Sequence, residues 1–309
     1  MEAIIDIILT SGRTGVDIAL YILLPVMVVM MGFMKLLEAK GVLAFTAKVL
    51  SPFVRPFGIP GIGIFAALQI ILVSFAAPMA TLVIMETDGT DKRRVATVFA
   101  MVLTMSQANV TFPMAVVGLN IPVIFTTSII GGLISATLTY YIFARSLGEG
   151  GYEHAIHIKQ ENSGNALNTV IKGGQEAVNI VIKSIPLLIL AICLVNFLKH
   201  INAISMLENM LSPMLGLLGI SGVSVLPIAT KFLAGGTAMM GITFDMLRDG
   251  IMSVQEFNRI AGFIINPFDL VGIAVLMTAG EKTASIARPA IIGAFIGITV
   301  RGIIHLIIF

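Results

Sequence analysis

The sequence predicts an all-α, polytopic membrane protein made of two inverted repeats. Each repeat contributes three transmembrane helices, a re-entrant hairpin and an interfacial amphipathic helix. Three observations carry this reading. The 309 residues are 57% hydrophobic and only 12% charged, with a mean hydropathy of +1.00, whereas an ordinary soluble domain is about 25% charged. Second, "LSPFVRPFGIPG" (Leu50–Gly61) returns as "LSPMLGLLGISG" (Leu211–Gly222), a shift of 161 positions. Third, each copy holds an apolar segment interrupted at its centre, and in the first copy basic residues flank it on both sides.

The repeat is collinear over most of each half. At the same shift Pro25 meets Pro186, and "METDG" (Met85–Gly89) meets "MLRDG" (Met246–Gly250). After a one-residue slip, "SIIGG" around Ile130 meets "AIIGA" around Ile292. The boundaries are 1–145 for the first repeat, 146–169 for a polar cytoplasmic linker and 170–309 for the second. Fixed-period self-similarity of this kind marks a duplicated structural unit.

Within each repeat an apolar span comes first (Val16–Leu37, and Ala177–Leu198). An amphipathic stretch follows (Glu38–Phe57, and Lys199–Leu218). In the second copy Ile204, Leu207, Leu211 and Met214 recur at helical spacing with Asn202, Glu208 and Asn209 between them, the pattern of a helix lying in the membrane interface. Next comes the interrupted segment, "ILVSFAAPMATL" or "KFLAGGTAMMGIT". Two apolar segments close the unit, the earlier one broken by "SQANVTFP" (Ser106–Pro113) or by "NPFD" (Asn266–Asp269). Val95–Ala144 carries no Asp, Glu, Lys, Arg or His, room for two spans of roughly 20 residues with a turn at Gly118–Pro122.

Charge decides how the interrupted segment sits. Lys35, Lys40, Lys48 and Arg55 precede it and Lys92, Arg93 and Arg94 follow it. Basic residues favour the cytoplasmic side, so a hairpin that re-enters keeps both clusters there, with Arg145, Lys159, Lys172, Lys282 and Arg288. Arms of about 10–14 residues reach roughly 15–21 Å, short of a ~30 Å hydrocarbon core. Three crossings per half then make the two copies inverted, with both termini outside and the linker inside. Inverted repeats with broken helices meeting at the midplane are a signature of secondary transporters.

The same shift superposes Ser74 on Gly235 and Ala76 on Thr237 at the hairpin tips, and brings Asn109 within one residue of Asp269. Broken backbone at membrane depth persists only against protein or a watery cavity, because lipid satisfies no amide or carbonyl. Asp269 is the sharpest signal: a carboxylate in an apolar run faces the interior and takes a partner, and Lys231 is the candidate. Gln107, Asn109 and Thr111 offer neutral donors and acceptors from the first half; Asn266, Thr237 and Ser74 complete the expected binding set. A static ion pair, helix-to-helix hydrogen bonds and a plain proline kink at Pro267 are the structural alternatives.

Other classes are disfavoured. "GISG" (Gly219–Gly222) spells a serine-protease motif, but its copy "GIPG" puts Pro60 where the nucleophile would stand, and no enzyme is expected. His154 and His157 lack further ligands for a metal site. Cys193 is the only cysteine, so no internal disulfide forms. The 18 methionines are read as core filling. The net charge of +2 gives no sign of nucleic acid. The N-terminus lacks the basic region of a cleavable signal and is expected to be retained.

With these residues in view, the duplicated pattern resembles the Gate, or nucleoside-recognition, family of bacterial membrane proteins. It is distantly similar to concentrative nucleoside transporters and to the membrane domain of ferrous-iron permeases. "FAAPMATLVIMETDGTDKRR" (Phe75–Arg94) is similar to the F-x-x-x-P-x-x-x-A-T turn of the permeases, although Ala76 and Ala77 stand where a cysteine is typical. No GxxxxGK loop or attached GTPase domain is present, and the Gln/Thr/Glu-rich tip of the nucleoside transporters is missing. The resemblance implies a multi-pass protein of the bacterial inner (cytoplasmic) membrane, a homo-oligomer or one of a paired Gate-type assembly. Residues and resemblance together lead to an expected ion-coupled secondary transporter of a small polar solute, a nucleoside or related metabolite. It would use Na+ or H+ and no resident cofactor. The alternatives are a non-transporting partner subunit of a Gate-type complex and a divalent metal permease.

Overall fold

The computed structural model describes residues 2–147, 165–201 and 215–309, and among them every regular element is a helix. The linker residues 148–164 with His154 and His157, and the interfacial pattern at Asn202, Ile204, Leu207, Glu208, Asn209, Leu211 and Met214, lie outside the described residues. Among the described residues five helices are long and apolar enough to cross a membrane.

The first helix is longer than its apolar stretch. Helix α1 (Glu2–Asp17) runs through a π-type turn (Ile18–Leu23) into α2 (Leu24–Ala39). Pro25 explains the widened turn. Its ring would press on the carbonyl four residues back, and the i→i+5 spacing, with the Leu24 N–H on the Ala19 carbonyl, relieves that contact. Sequence reading starts this span at Val16; the helix begins at Glu2, because Arg13 and Asp17 are polar without being helix breakers. The same holds for α9 (Ala166–His200), expected from Ala177. The two long helices pack antiparallel and closely: Gly15 abuts Ile189, Gly32 abuts Val170, and a Cβ on Gly173 would lie 2.6 Å from the Met31 carbonyl oxygen. Small residues that admit backbone contact are the usual glue of membrane helices.

Helix α3 (Val42–Val54) turns through 109° into α4 (Gly61–Leu72), at Gly58 with φ 76°. It leaves Phe45 and Phe53 each 69% exposed, an apolar face without a partner among the described residues. After a break at Val73–Ala77, α5 (Pro78–Thr87) packs back against α4, and the Thr81 hydroxyl donates to Gln69 Oε1 across the pair (2.6 Å). Helix α6 (Lys92–Thr104), buried along almost its whole length, is followed by α7 (Ala108–Ala115) and α8 (Ile121–Leu138).

The second half repeats the order. Helices α10 (Val225–Ala234) and α11 (Gly236–Arg248) meet at Gly235 and pack together. Helices α12 (Val254–Ile264) and α13 (Leu270–Met277) flank the Asn-Pro-Phe-Asp break. A short α14 (Glu281–Ser285) leads into α15 (Ala287–Ile308). Ser253 caps α12 in a reciprocal box with Glu256. Ser253→Ala is therefore expected to cost about 1 kcal/mol, readable as a lowered melting temperature.

Helices α8 and α15 also cross antiparallel. Gly131 backs onto Arg301 Cγ, and Gly293 backs onto the Thr139 side chain and the Ser135 carbonyl. At the one-residue slip Gly131 corresponds to Gly293 and Thr139 to Arg301. The two contacts thus join positions that the sequence shift relates.

Candidate functional site

Two helix breaks meet at the centre of the chain. In the first half α6 ends at Thr104, and the Ser106 N–H that follows donates to Ser128 Oγ (2.7 Å). Helix α7 starts afresh after Gln107. Asn109 Oδ1 accepts from the Phe75 N–H (3.2 Å), tying the tip of the α4–α5 pair to this break. In the second half Pro267 has no N–H to continue α12. The Asn266 amide donates to the Phe263 carbonyl (2.8 Å), and its Oδ1 accepts from the Phe268 N–H (3.1 Å), so one side chain closes both sides of the turn. The breaks touch directly: Gln107 Nε2 donates to the Asn266 carbonyl (3.1 Å).

Asp269 survives burial by being satisfied twice. One carboxylate oxygen caps α13, accepting from the Gly272 N–H (2.7 Å) at the positive end of that helix. The other takes the ammonium of Lys231 from the last turn of α10. The two side chains are 0% and 5% exposed, so this is a buried ion pair and not a surface contact.

A cavity of about 50 Å³ opens beside the pair. Gln107, Asn109, Thr237 and Asp269 line it, with Phe75, Gly235 and Gly272. Asn266 and Lys231 are buried directly behind that wall, each bonded to a lining residue. Ser74 sits at the first tip, buried, with its N–H on the Gln69 carbonyl (3.1 Å), and its neighbour Phe75 supplies the lining. Thr111 is buried within α7 and donates to the Gln107 carbonyl (2.9 Å) without reaching the cavity. Glycine is required where the second tip closes on the first break. Gly235 has φ 88°, and a Cβ on Gly236 would lie 2.4 Å from Gln107 Nε2.

Sequence reading missed Arg301. It is wholly buried in α15, and its Nη1 donates to the Thr104 carbonyl (2.6 Å) and the Ile265 carbonyl (3.1 Å). Those carbonyls end α6 and α12, so one guanidinium caps both helices that run into the breaks. Each helix C-terminus carries about half a negative charge, and the pair offsets roughly one positive charge. His305, one turn on, is buried as well; its Nδ1 lies 2.7 Å from the Asn258 carbonyl, and its Nε2 lies 2.9 Å from Thr127 Oγ1. A lone Arg and His at i and i+4 in an apolar helix was the available signal.

A clasp between the halves was missed too. Glu86 at the end of α5 accepts from the Lys282 N–H (2.6 Å), the Thr283 N–H (3.0 Å) and the Thr283 hydroxyl (3.0 Å). Lys282 Nζ returns to the carbonyls of Glu86 (3.2 Å) and Thr90 (3.0 Å).

The family comparison falls on the first of these two broken units. Residues 20–127 match the Gate family, described as nucleoside recognition. The fold extends the likeness over the whole chain. A doubly substituted variant of CNTnw in an outward-facing state superposes with a TM-score of 0.73 at 16% identity, over 99% of this chain and 83% of that one. CNTnw in an inward-facing, substrate-bound state gives 0.71 at 16% identity, over 93% and 74%. A comparison with curated protein sequences finds no match. The chain is a multi-pass helical membrane protein with the fold of CNTnw.

Proposed function

We propose that the protein is an ion-coupled secondary transporter of a small polar solute of the nucleoside class, bound at the cavity between the two breaks. The observation that carries this is convergence: polar groups from two broken helices and one glycine tip face a single space at the centre of an apolar protein. Structural relatives whose descriptions include substrate-bound, inward-facing and outward-facing states support the same reading.

The architecture proposed with it is two inverted repeats, residues 1–145 and 170–309, joined by a cytoplasmic linker. The paired antiparallel contacts of helices α8 and α15 support it, since a two-fold axis in the membrane plane would carry Gly131·Arg301 onto Gly293·Thr139. The α4–α5 and α10–α11 pairs are the re-entrant hairpins, and α3, with its exposed phenylalanines, lies in the interface. The membrane is the bacterial inner membrane, the basic clusters face the cytoplasm, and the protein works as a homo-oligomer or beside a paired subunit.

A site for a drug-sized ligand occupies about 300–1,000 Å³, so the ~50 Å³ cavity is too small to seat the solute as it stands. Solute entry requires one of the tips to withdraw. Asp269, paired with Lys231, is the coupling carboxylate for Na+ or H+. In proteoliposomes the wild-type protein is expected to take up nucleoside down an imposed ion gradient, and Asp269→Asn to lose that uptake. Full uptake by the variant would remove Asp269 from the mechanism. A panel of nucleosides that leaves the wild-type melting temperature unmoved, while a second membrane protein co-purifies, would favour the partner-subunit reading. Among the described residues no three His, Cys, Asp or Glu side chains group to hold a metal, and nothing in the lining favours the permease.

A further inference from the structure

We propose that the Lys231 ammonium is a tethered cation, occupying the seat that a monovalent cation or a ligand's amine takes at Asp269 when the second tip withdraws. The inference rests on reading the cavity as a ligand site, but its test does not use the solute.

The argument starts from charge. Among the described residues Asp269 is the one ionisable group that lines the cavity, so the wall carries a full negative charge unless something positive stands against it. Lys231 supplies that charge, from a fully buried position, and reaches one carboxylate oxygen while the α13 amide holds the other. Nothing about helix packing requires a lysine there. A carboxylate already capping a helix could instead be an asparagine, which caps equally well without a charge to neutralise. The pair is costly to build and costly to separate: taking one partner from a buried pair strands the other.

Position then gives the charge a role. Lys231 stands four residues before Gly235, on the arm that ends at the tip, while Asp269 belongs to the break in the other element. Gly235 lies against the carboxylate, the point where a Cβ would come within 3.6 Å of Asp269 Oδ1. Any withdrawal of the tip large enough to admit a solute carries the ammonium away and leaves Asp269 facing the enlarged space alone. A buried, unpaired carboxylate is disfavoured by several kcal/mol. Opening is therefore held back until another cation takes the place of Lys231, and tip movement becomes linked to cation binding. The closed state needs no free ion at this position, because it carries its own.

The test removes the tether and asks whether a free cation replaces it. Lys231→Met keeps length and apolar bulk and removes the charge. The full-length protein in detergent is melted in sodium chloride, methylammonium chloride and choline chloride at matched ionic strength. The expected result is that Lys231→Met melts below wild type in choline and recovers several degrees, saturably, in sodium or methylammonium. Wild type shows no difference among the three salts. Lys231→Met with Asp269→Asn, which leaves no charge to satisfy, regains stability and also shows none.

Equal behaviour of Lys231→Met in all three salts would overturn the proposal. So would failure of Lys231→Met to fold in any of them while the double variant folds, since the pair would then be structural. A specific response of Lys231→Met, with no effect of any nucleoside on wild type, would leave the cation seat standing and remove the solute reading instead.

Discussion

Replacing Arg301 with methionine is expected to destabilise the protein by about 3–5 kcal/mol, and to do so in both halves at once. The wild-type guanidinium makes hydrogen bonds to the Thr104 and Ile265 carbonyls, and bonds to a charged group contribute roughly 1.5–3 kcal/mol each. Methionine fits the volume and removes the cost of a buried charge, which works in the opposite direction. What it cannot do is cap, and two helix ends buried at the centre of the protein then keep carbonyls with no donor. Arg301→Lys separates charge from geometry. Both bonds leave from the one nitrogen Nη1, so a lysine restores the charge and a multiple donor, but its shorter stem does not set that nitrogen midway between two carbonyls from different helices. It is expected to recover only part of the loss. Hydrogen exchange locates the damage: amides of α6 and α12 should lose protection together in Arg301→Met. Loss confined to α15 would mean that the arginine serves its own helix and not the two breaks.

Arg301 also shows where sequence reading stops. The second break was legible because Pro267, Asn266 and Asp269 are each costly in an apolar run, the first because the repeat shift sets Asn109 beside Asp269, and the Lys231–Asp269 pair followed from two charges that each needed a partner. Arg301 lies in "GITVRGIIHLIIF", eight positions before Phe309. There an arginine reads as an interfacial anchor. Its partners are backbone carbonyls, which every residue has, so nothing in the sequence marks Thr104 or Ile265 as its acceptors. The extra turns of α1 and α9 were hidden for a related reason: apolar content measures which residues can sit in lipid, while helices continue through Arg13, Asp17 and Glu176 until a breaker stops them. Ser74 and Thr111 were chosen for residue type at the right depth. The helical phase that turns Thr111 back onto the Gln107 carbonyl is set by where α7 restarts, and that depends on contacts between Gln107 and the other half.

Gly272→Ala is expected to destabilise the protein by about 3 kcal/mol or more, against the sign that helix propensity alone would give. Gly272 lies in the first turn of α13, and alanine is favoured over glycine in a helix interior by up to about 1 kcal/mol. Space reverses the outcome. A Cβ here would stand 2.1 Å from the Pro267 carbonyl oxygen and 3.3 Å from Asp269 Oδ1. The first of these is backbone in a turn already fixed by proline and by both ends of the Asn266 side chain, so it has no rotamer with which to yield. Overpacking of ordinary cores costs about 1–3 kcal/mol, and an overlap with rigid backbone belongs at or above the top of that range. The lesion would fall on the Gly272 N–H that Asp269 caps, so the ion pair with Lys231 should loosen with it. Gly12→Ala is the control. Gly12 is helical in α1, and a Cβ there meets nothing within 4 Å, so the same substitution should stabilise by about 0.4–1 kcal/mol. Opposite shifts in melting temperature for the two variants would establish that the break is held closed by a contact only glycine permits. A stabilising Gly272→Ala would mean that the Asn-Pro-Phe-Asp turn opens to accept a methyl group, and the small volume of the cavity would lose its physical basis.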